Sequence, residues 1–115
     1  MDVGSRVCAA PPAQPPVFAA VVTGETVIVV LRGELDVTVE GFLYGRLSRI
    51  REIRPSRLVF EMAQVTYLDC ASARLIAGTG DWLPVGVKPV VSHPPPIVRR
   101  VLEASGIGAF CELGA

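Results

Sequence analysis

The chain has 115 residues, 50% of them hydrophobic, and eleven basic against eleven acidic side chains give a formal net charge of zero. A chain of this length makes one small domain that buries about two-thirds of its unfolded surface, so every function must sit on a single scaffold. Neutrality excludes the basic excess expected of an electrostatically driven binder of nucleic acid or of a membrane surface.

Residues 1–16, MDVGSRVCAAPPAQPP, carry prolines and few large apolar groups, and they read as a loose leader that cannot offset the entropy of its own ordering. From Val17 the composition turns β-branched. VFAAVV (17–22) and TVIVVLRG (26–33), with Gly24 between them, predict a β-hairpin, and TVIVVL is apolar enough to be buried on both faces. After GELD (33–36) the period becomes helical: Val39, Phe42, Leu43, Leu47, Ile50 and Ile53 are spaced to share one face, with Glu40, Arg46, Arg49 and Glu52 opposite. Asp36 or Thr38 supplies the N-cap and Pro55 the stop. RLVFEM (57–62) predicts a third, internal strand. It leads through VTYLD (65–69) into a second helix from Cys70 to Trp82, where Ala73, Ile76, Ala77 and Gly80 form a narrow stripe suited to close approach on a sheet. Residues 87–92 read as a fourth strand with Pro89 at a bulge or edge. Pro94, Pro95 and Pro96 open a short helix, IVRRVLEAS, which Gly106 and Ile107 stop. Residues 110–113 add a last short strand. The order ββαβαβα(β) predicts an α/β domain over 17–115: an open mixed sheet of four to five strands with helices packed mainly on one face.

Little in this chain supports catalysis. Cys8, Cys70 and Cys111 are odd in number and share no CxxC spacing, so neither a disulfide framework nor a metal cage is encoded, and a reducing cytoplasm fits. His93 is the only histidine, which removes most triad and multi-histidine metal schemes, and its proline-rich setting reads as a loop without a role. No apolar run approaches the roughly 20 residues that cross a bilayer. Cys70 beside Asp69 has a carboxylate opposing its ionisation and no base, so it reads as structural. The arginines at 46, 49, 51, 54 and 57 lack interleaved aromatic residues and are diluted by Glu40 and Glu52, as in a solvated helix face. At the strand-to-helix junction 67–74, YLDCASAR, two readings stand. Either the first-turn N–H groups attract a phosphate, bound or carried by Ser72, or Asp69 caps the helix and Ser72 is an ordinary first-turn residue. No cofactor is implied.

GELD (33–36) after a strand, LVFEM (58–62) leading to VTYLD (65–69), and PIVRRVLEASG (96–106) occur in this order, and together they resemble the STAS domain, the fold of bacterial anti-sigma factor antagonists, over residues 17–113. The resemblance implies a mixed sheet with helices on one side. It also implies partner switching, in which the protein binds an anti-sigma factor of the serine-kinase type and so frees a sigma factor, with no substrate of its own. In the family the loop before the second helix usually reads Asp-Ser-Ser/Thr-Gly, and phosphorylation of the second hydroxyl residue breaks the complex, since a dianion in a tight interface costs desolvation and repulsion. Here Asp69 matches the aspartate, Cys70 the first serine, Ala71 the acceptor and Ser72 the glycine. The acceptor hydroxyl is missing. Ser72 is the displaced candidate for phosphorylation, but one residue on a helix turns a side chain by about 100°, which favours loss of the phosphoswitch. Val39 stands where the family usually has a threonine, and Thr38 is positioned to cap instead. Glu34, Asp36, Asp69, Cys70, Ala71 and Ser72 carry over as partner-binding positions, and Arg74 joins them by position. Two other readings remain: a STAS subunit of a membrane transporter or sensor complex, and a small-molecule or nucleotide sensor using the helix start at 70–74 as an anion site.

Overall fold

Residues 17–114 are described by a computed structural model, and the expected leader over 1–16, with Cys8, lies outside the described residues. Strand β1 (Val17–Thr23) turns through Gly24, at φ +63°, into β2 (Thr26–Leu35), and the two pair antiparallel from Val17 opposite Arg32 to Thr23 opposite Thr26. The left-handed backbone at Gly24 is what a tight hairpin turn requires and what glycine adopts without a Cβ penalty. A 3-10 turn (Val37–Val39) precedes helix α1 (Glu40–Ile53). Strand β3 (Arg57–Leu68), helix α2 (Cys70–Gly78) with a 3-10 continuation (Thr79–Trp82), and strand β4 (Val90–Ser92) follow. Helix α3 (Pro96–Ala104), a 3-10 turn (Ile107–Ala109) and strand β5 (Glu112–Leu113) complete the domain. The five-stranded sheet runs β1-β2-β3-β4-β5, antiparallel at the hairpin and parallel thereafter. It is the mixed sheet expected from the alternation of strand and helix patterns.

One layer of helices covers one face of this sheet. Val27, Val29 and Leu31 of β2, Leu58, Phe60 and Met62 of β3, and Val91 of β4 are buried in a single cluster with Leu43, Leu47 and Ile50 of α1, Ala73 and Ile76 of α2, and Val98 and Leu102 of α3. The alternate residues Ile28, Val30, Val59 and Val90 are only partly buried. The expectation that TVIVVL is buried on both faces is therefore corrected: with no second helical layer among the described residues, strand pleating gives one dry face and one half-covered one.

Other boundaries differ from the sequence expectation for identifiable reasons. Leu43, Leu47 and Ile50, at helical spacing, take the core face of α1. At about 100° per residue Phe42 cannot point the same way as Leu43, and it is 43% exposed, packing edge-on against Phe18 of β1 with ring centroids 6.5 Å apart. Ile53 is exposed at the helix end. Segments 57–62 and 65–69, which look separate, form one strand of 12 residues. Register shifts between Val30 and Arg32 and between Gly33 and Glu34 move the partners from Glu61 to Gln64 and from Val65 to Tyr67, and these irregularities break the alternation that a pattern search follows. The second helix tightens to 3-10 after Gly78, and its buried stripe is Ser72, Ala73, Ile76 and Thr79, with Ala77 and Gly80 half-buried. Gly80 is nonetheless a point of close approach, since a Cβ there would lie 3.3 Å from the Pro89 ring. Pro89 sits just before β4, buried, and its carbonyl accepts the Glu112 N–H at 2.9 Å. Residues 87–89 and the exposed Phe110 lie outside the strands.

Candidate partner-binding site

The C-terminal ends of β2 and β3 lie side by side and deliver two loops to one edge of the sheet. Glu34 pairs with Tyr67 and Leu35 with Leu68, and the Asp69 N–H donates to the Leu35 carbonyl at 3.0 Å. That bond joins the loop after GELD to the loop before α2. The sequence-predicted residues of both loops are thereby brought together by backbone pairing.

Each loop is ordered by an aspartate used as a cap. Asp36 accepts the Thr38 N–H at 2.9 Å and also the Thr38 hydroxyl, and so caps the 3-10 turn; Val39, at the start of α1 itself, provides no side-chain cap. The Thr38 hydroxyl, followed by its N–H, holds the Asp36 carboxyl below its ordinary value of 3.8. Asp69 caps α2. Its Oδ1 accepts the Ser72 N–H at 2.8 Å and its carbonyl accepts the Ala73 N–H at 3.0 Å. The Ser72 N–H, one of the first-turn donors that an external anion would need at this helix start, is thus engaged by Asp69.

Side chains around α2 divide by helical angle. Cys70 and Arg74 are exposed on one side, Ala71 is half-buried, and Ser72 is 0% exposed, facing the core beside Ala73 and Ile76. The Ser72 hydroxyl has no hydrogen-bond partner among the described residues. Cys70 Sγ receives the Ser105 hydroxyl at 3.4 Å, which ties the start of α2 to the end of α3. Arg74, one turn further along, borders a cleft of about 320 Å³ with Asp81, Ser105 and Phe110. Glu34 is exposed and Asp36 half-buried, so carboxylates rim the site.

Sequence reasoning missed two apolar members of this surface. Val37, next to Asp36, is 68% exposed, and Tyr67, opposite Glu34, is 47% exposed. Large apolar groups beside polar loops are the usual make-up of a protein-binding patch. The available signal was the position of Val37 outside the helical repeat. His93 was also underestimated. At φ +54° its backbone is in the left-handed region, and its Nδ1 lies 2.9 Å from both Glu61 Oε2 and Ser92 Oγ. Burial pushes the Glu61 carboxyl upward, but hydrogen bonds with the His93 ring and the Ala63 N–H outweigh it and leave the group below its ordinary 4.5. This pair lies midway along β3, apart from the paired loops. Among the described residues no group of His, Cys, Asp and Glu could hold a metal, and no helix is long and apolar enough to cross a membrane.

Comparison with known proteins agrees with this architecture. Residues 18–114 match the STAS domain family. The anti-sigma factor antagonist SpoIIAA in its unphosphorylated form is similar with a TM-score of 0.70 at 24% identity, over 86% of this chain and 89% of that one. An anti-sigma factor antagonist from Mycobacterium paratuberculosis gives a TM-score of 0.75 at 20% identity, over 87% and 86% of the two chains. The phosphorylated form of SpoIIAA from Bacillus gives 0.64 at 23% identity, over 86% and 92%. No curated protein matches the chain. With the motifs in order, the five-stranded sheet and the match over nearly the whole described region, the chain belongs to the STAS domain family.

Proposed function

We propose that this protein is a non-enzymatic, protein-binding regulator of the anti-sigma antagonist kind, which sequesters an anti-sigma factor of the serine-kinase type in the cytoplasm and is not switched by phosphorylation at the usual position. The observation that supports this reading is the junction at Asp69: its loop is joined to the GELD loop through the Asp69 N–H and the Leu35 carbonyl, and the residue that the family resemblance matches to the acceptor is Ala71. A methyl group cannot accept phosphate, and the neighbouring Ser72 hydroxyl is fully buried. Binding would use the exposed Val37 and Tyr67 as apolar contacts, with Glu34, Asp36, Asp69, Cys70 and Arg74 around them. Without a phosphate to introduce charge at the interface, the complex would be controlled by the amount of the antagonist or of its partner.

The test is to recover the tagged protein from its native cells and to identify by mass spectrometry its stoichiometric partner and any phosphate on residues 66–79. A kinase-like anti-sigma factor bound to unmodified protein is the expected result. The purified pair with ATP should then leave the natural chain bound and unmodified, while the Ala71→Ser variant becomes phosphorylated and dissociates. A Ser72 phosphate confined to unbound protein would overturn the absence of a switch. Recovery of a transport ATPase in place of the kinase-like protein would overturn the sigma-factor reading.

A further inference from the structure

At the opposite end of the sheet, the last turn of α1, the loop into β3 and the 3-10 turn after α2 border an open surface cavity of about 530 Å³ lined by Arg51, Arg54, Pro55, Trp82, Leu83 and Pro84. The length of β3, at about 3.3 Å per residue, separates it from the paired loops at Asp36 and Asp69. Of its lining residues Pro55 and Leu83 are buried, and Trp82 is half-buried and packed against the core. Arg51 and Arg54 are exposed, and neither makes an ion pair among the described residues. Ser56 also borders the cavity, but its hydroxyl donates to Glu25, whose carboxylate lies outside the lining.

The backbone at Arg54 bears on what this cavity does. Arg54 is the C-cap of α1 at φ +56°, a left-handed position where glycine is usual and an L side chain costs stability. The helix dipole favours a cation at this end, and a guanidinium there also offers a planar fork of donors to phosphate or carboxylate, with Arg51 placing a second fork one turn earlier. The carbonyl end of α1 contributes about half a negative charge and the Glu25 carboxylate bonded to Ser56 another full one, so the two guanidiniums leave the cavity with a small positive balance. Its volume lies within the range of about 300–1,000 Å³ typical of small-molecule sites and far exceeds what an inorganic anion fills, while the indole and the prolines offer flat apolar walls.

We propose that Arg51, Arg54 and Trp82 form a binding site for a small aromatic anion, a flat ring bearing a phosphate or a carboxylate, with the ring against Trp82 and the acid group between the two guanidiniums. Trp82 is the only tryptophan of the chain, so its fluorescence reports on this cavity alone. The protein is titrated with AMP, with 4-hydroxybenzoate, and with inorganic phosphate as the ring-free control, and calorimetry checks each binding curve. Saturable change with AMP identifies a phosphate ligand and with 4-hydroxybenzoate a carboxylate; either is the expected result, with inorganic phosphate at least about tenfold weaker. Arg51→Ala and Arg54→Gly should each weaken binding about tenfold or more, as expected for loss of a charge-assisted hydrogen bond. Arg54→Gly should melt at or above the temperature of the natural protein, which separates loss of binding from loss of fold. The proposal is overturned if neither ring-bearing probe saturates at millimolar concentration, if inorganic phosphate binds equally well, or if both variants bind as the natural protein does. A lower melting temperature for Arg54→Gly would overturn the backbone argument.

Discussion

Ser72→Ala is the substitution whose outcome the structure constrains most closely. Ser72 occupies the first turn of α2, and its N–H bond to Asp69 Oδ1 at 2.8 Å is a backbone bond that alanine retains. Its hydroxyl is buried with no partner among the described residues, whereas the hydroxyl of Thr79, equally buried on the same side, donates to the Ile76 carbonyl at 2.6 Å. Burying a hydroxyl without a hydrogen bond costs about 1–3 kcal/mol. Deleting it recovers that cost less a cavity term of about 24 cal/mol per Å³, small for a single oxygen, and alanine is also the better helix former. The expected net gain is about 1 kcal/mol, equivalent to about 4 °C in melting temperature for a domain of this size. Urea and thermal unfolding followed by circular dichroism measure it, with the urea midpoint rising at unchanged m-value. A stability loss of about 1 kcal/mol or more, comparable with a net hydrogen bond, would refute the reasoning, because the hydroxyl would then have to be bonded. The same hydroxyl is the only phosphoacceptor candidate adjoining Ala71, so a gain in stability would also mark it as an inner-face group that a kinase reaches only by opening the first turn of α2.

The two described cysteines should separate by reactivity. Burial pushes the Cys111 thiol up to about 11, against a smaller opposing effect of Lys88, while Cys70 is exposed. Iodoacetamide at neutral pH followed by peptide mass spectrometry should label Cys70 and spare Cys111 until denaturant is added, and equal labelling of both in the folded protein would contradict the burial of Cys111. Glu61 predicts a pH dependence. Its folded value lies below the ordinary 4.5, so its contribution to stability is fully present above 4.5 and is lost as the pH falls through the folded value. Urea midpoints measured downward from neutral pH should therefore fall further for the natural protein than for Glu61→Gln, and parallel curves would show that the bonds to His93 and Ala63 carry no net stabilisation.

Much of the fold was legible because its elements obey simple periods. The hairpin at Gly24, the core stripe Leu43, Leu47 and Ile50, the prolines entering α3 and the stop at Gly106 each follow from local stereochemistry, and the structure retains them. What was misread depended on neighbours distant in sequence. The irregular register of β3 depends on its pairing with β2, and the short β4 is the part of 87–92 that pairs beside β3. The solvent face of TVIVVL depends on where the helices pack. In the candidate site, Asp36 and Asp69 were visible as caps, but the Leu35 to Asp69 bond that joins their loops is a sheet contact that local pattern cannot reveal.

By itself the sequence determined the order of strands and helices, the family, and the absence of a hydroxyl at Ala71, because these depend on residue identity and short-range period. Only the tertiary structure decided that Ser72 is enclosed in the core while Cys70 is exposed, that Val37 and Tyr67 stand out beside the paired loops, and that Arg51 and Arg54 share a cavity with Trp82. Exposure and proximity are set when the α1 and α2 helices pack on the sheet, and that packing brings together residues that the chain itself keeps far apart.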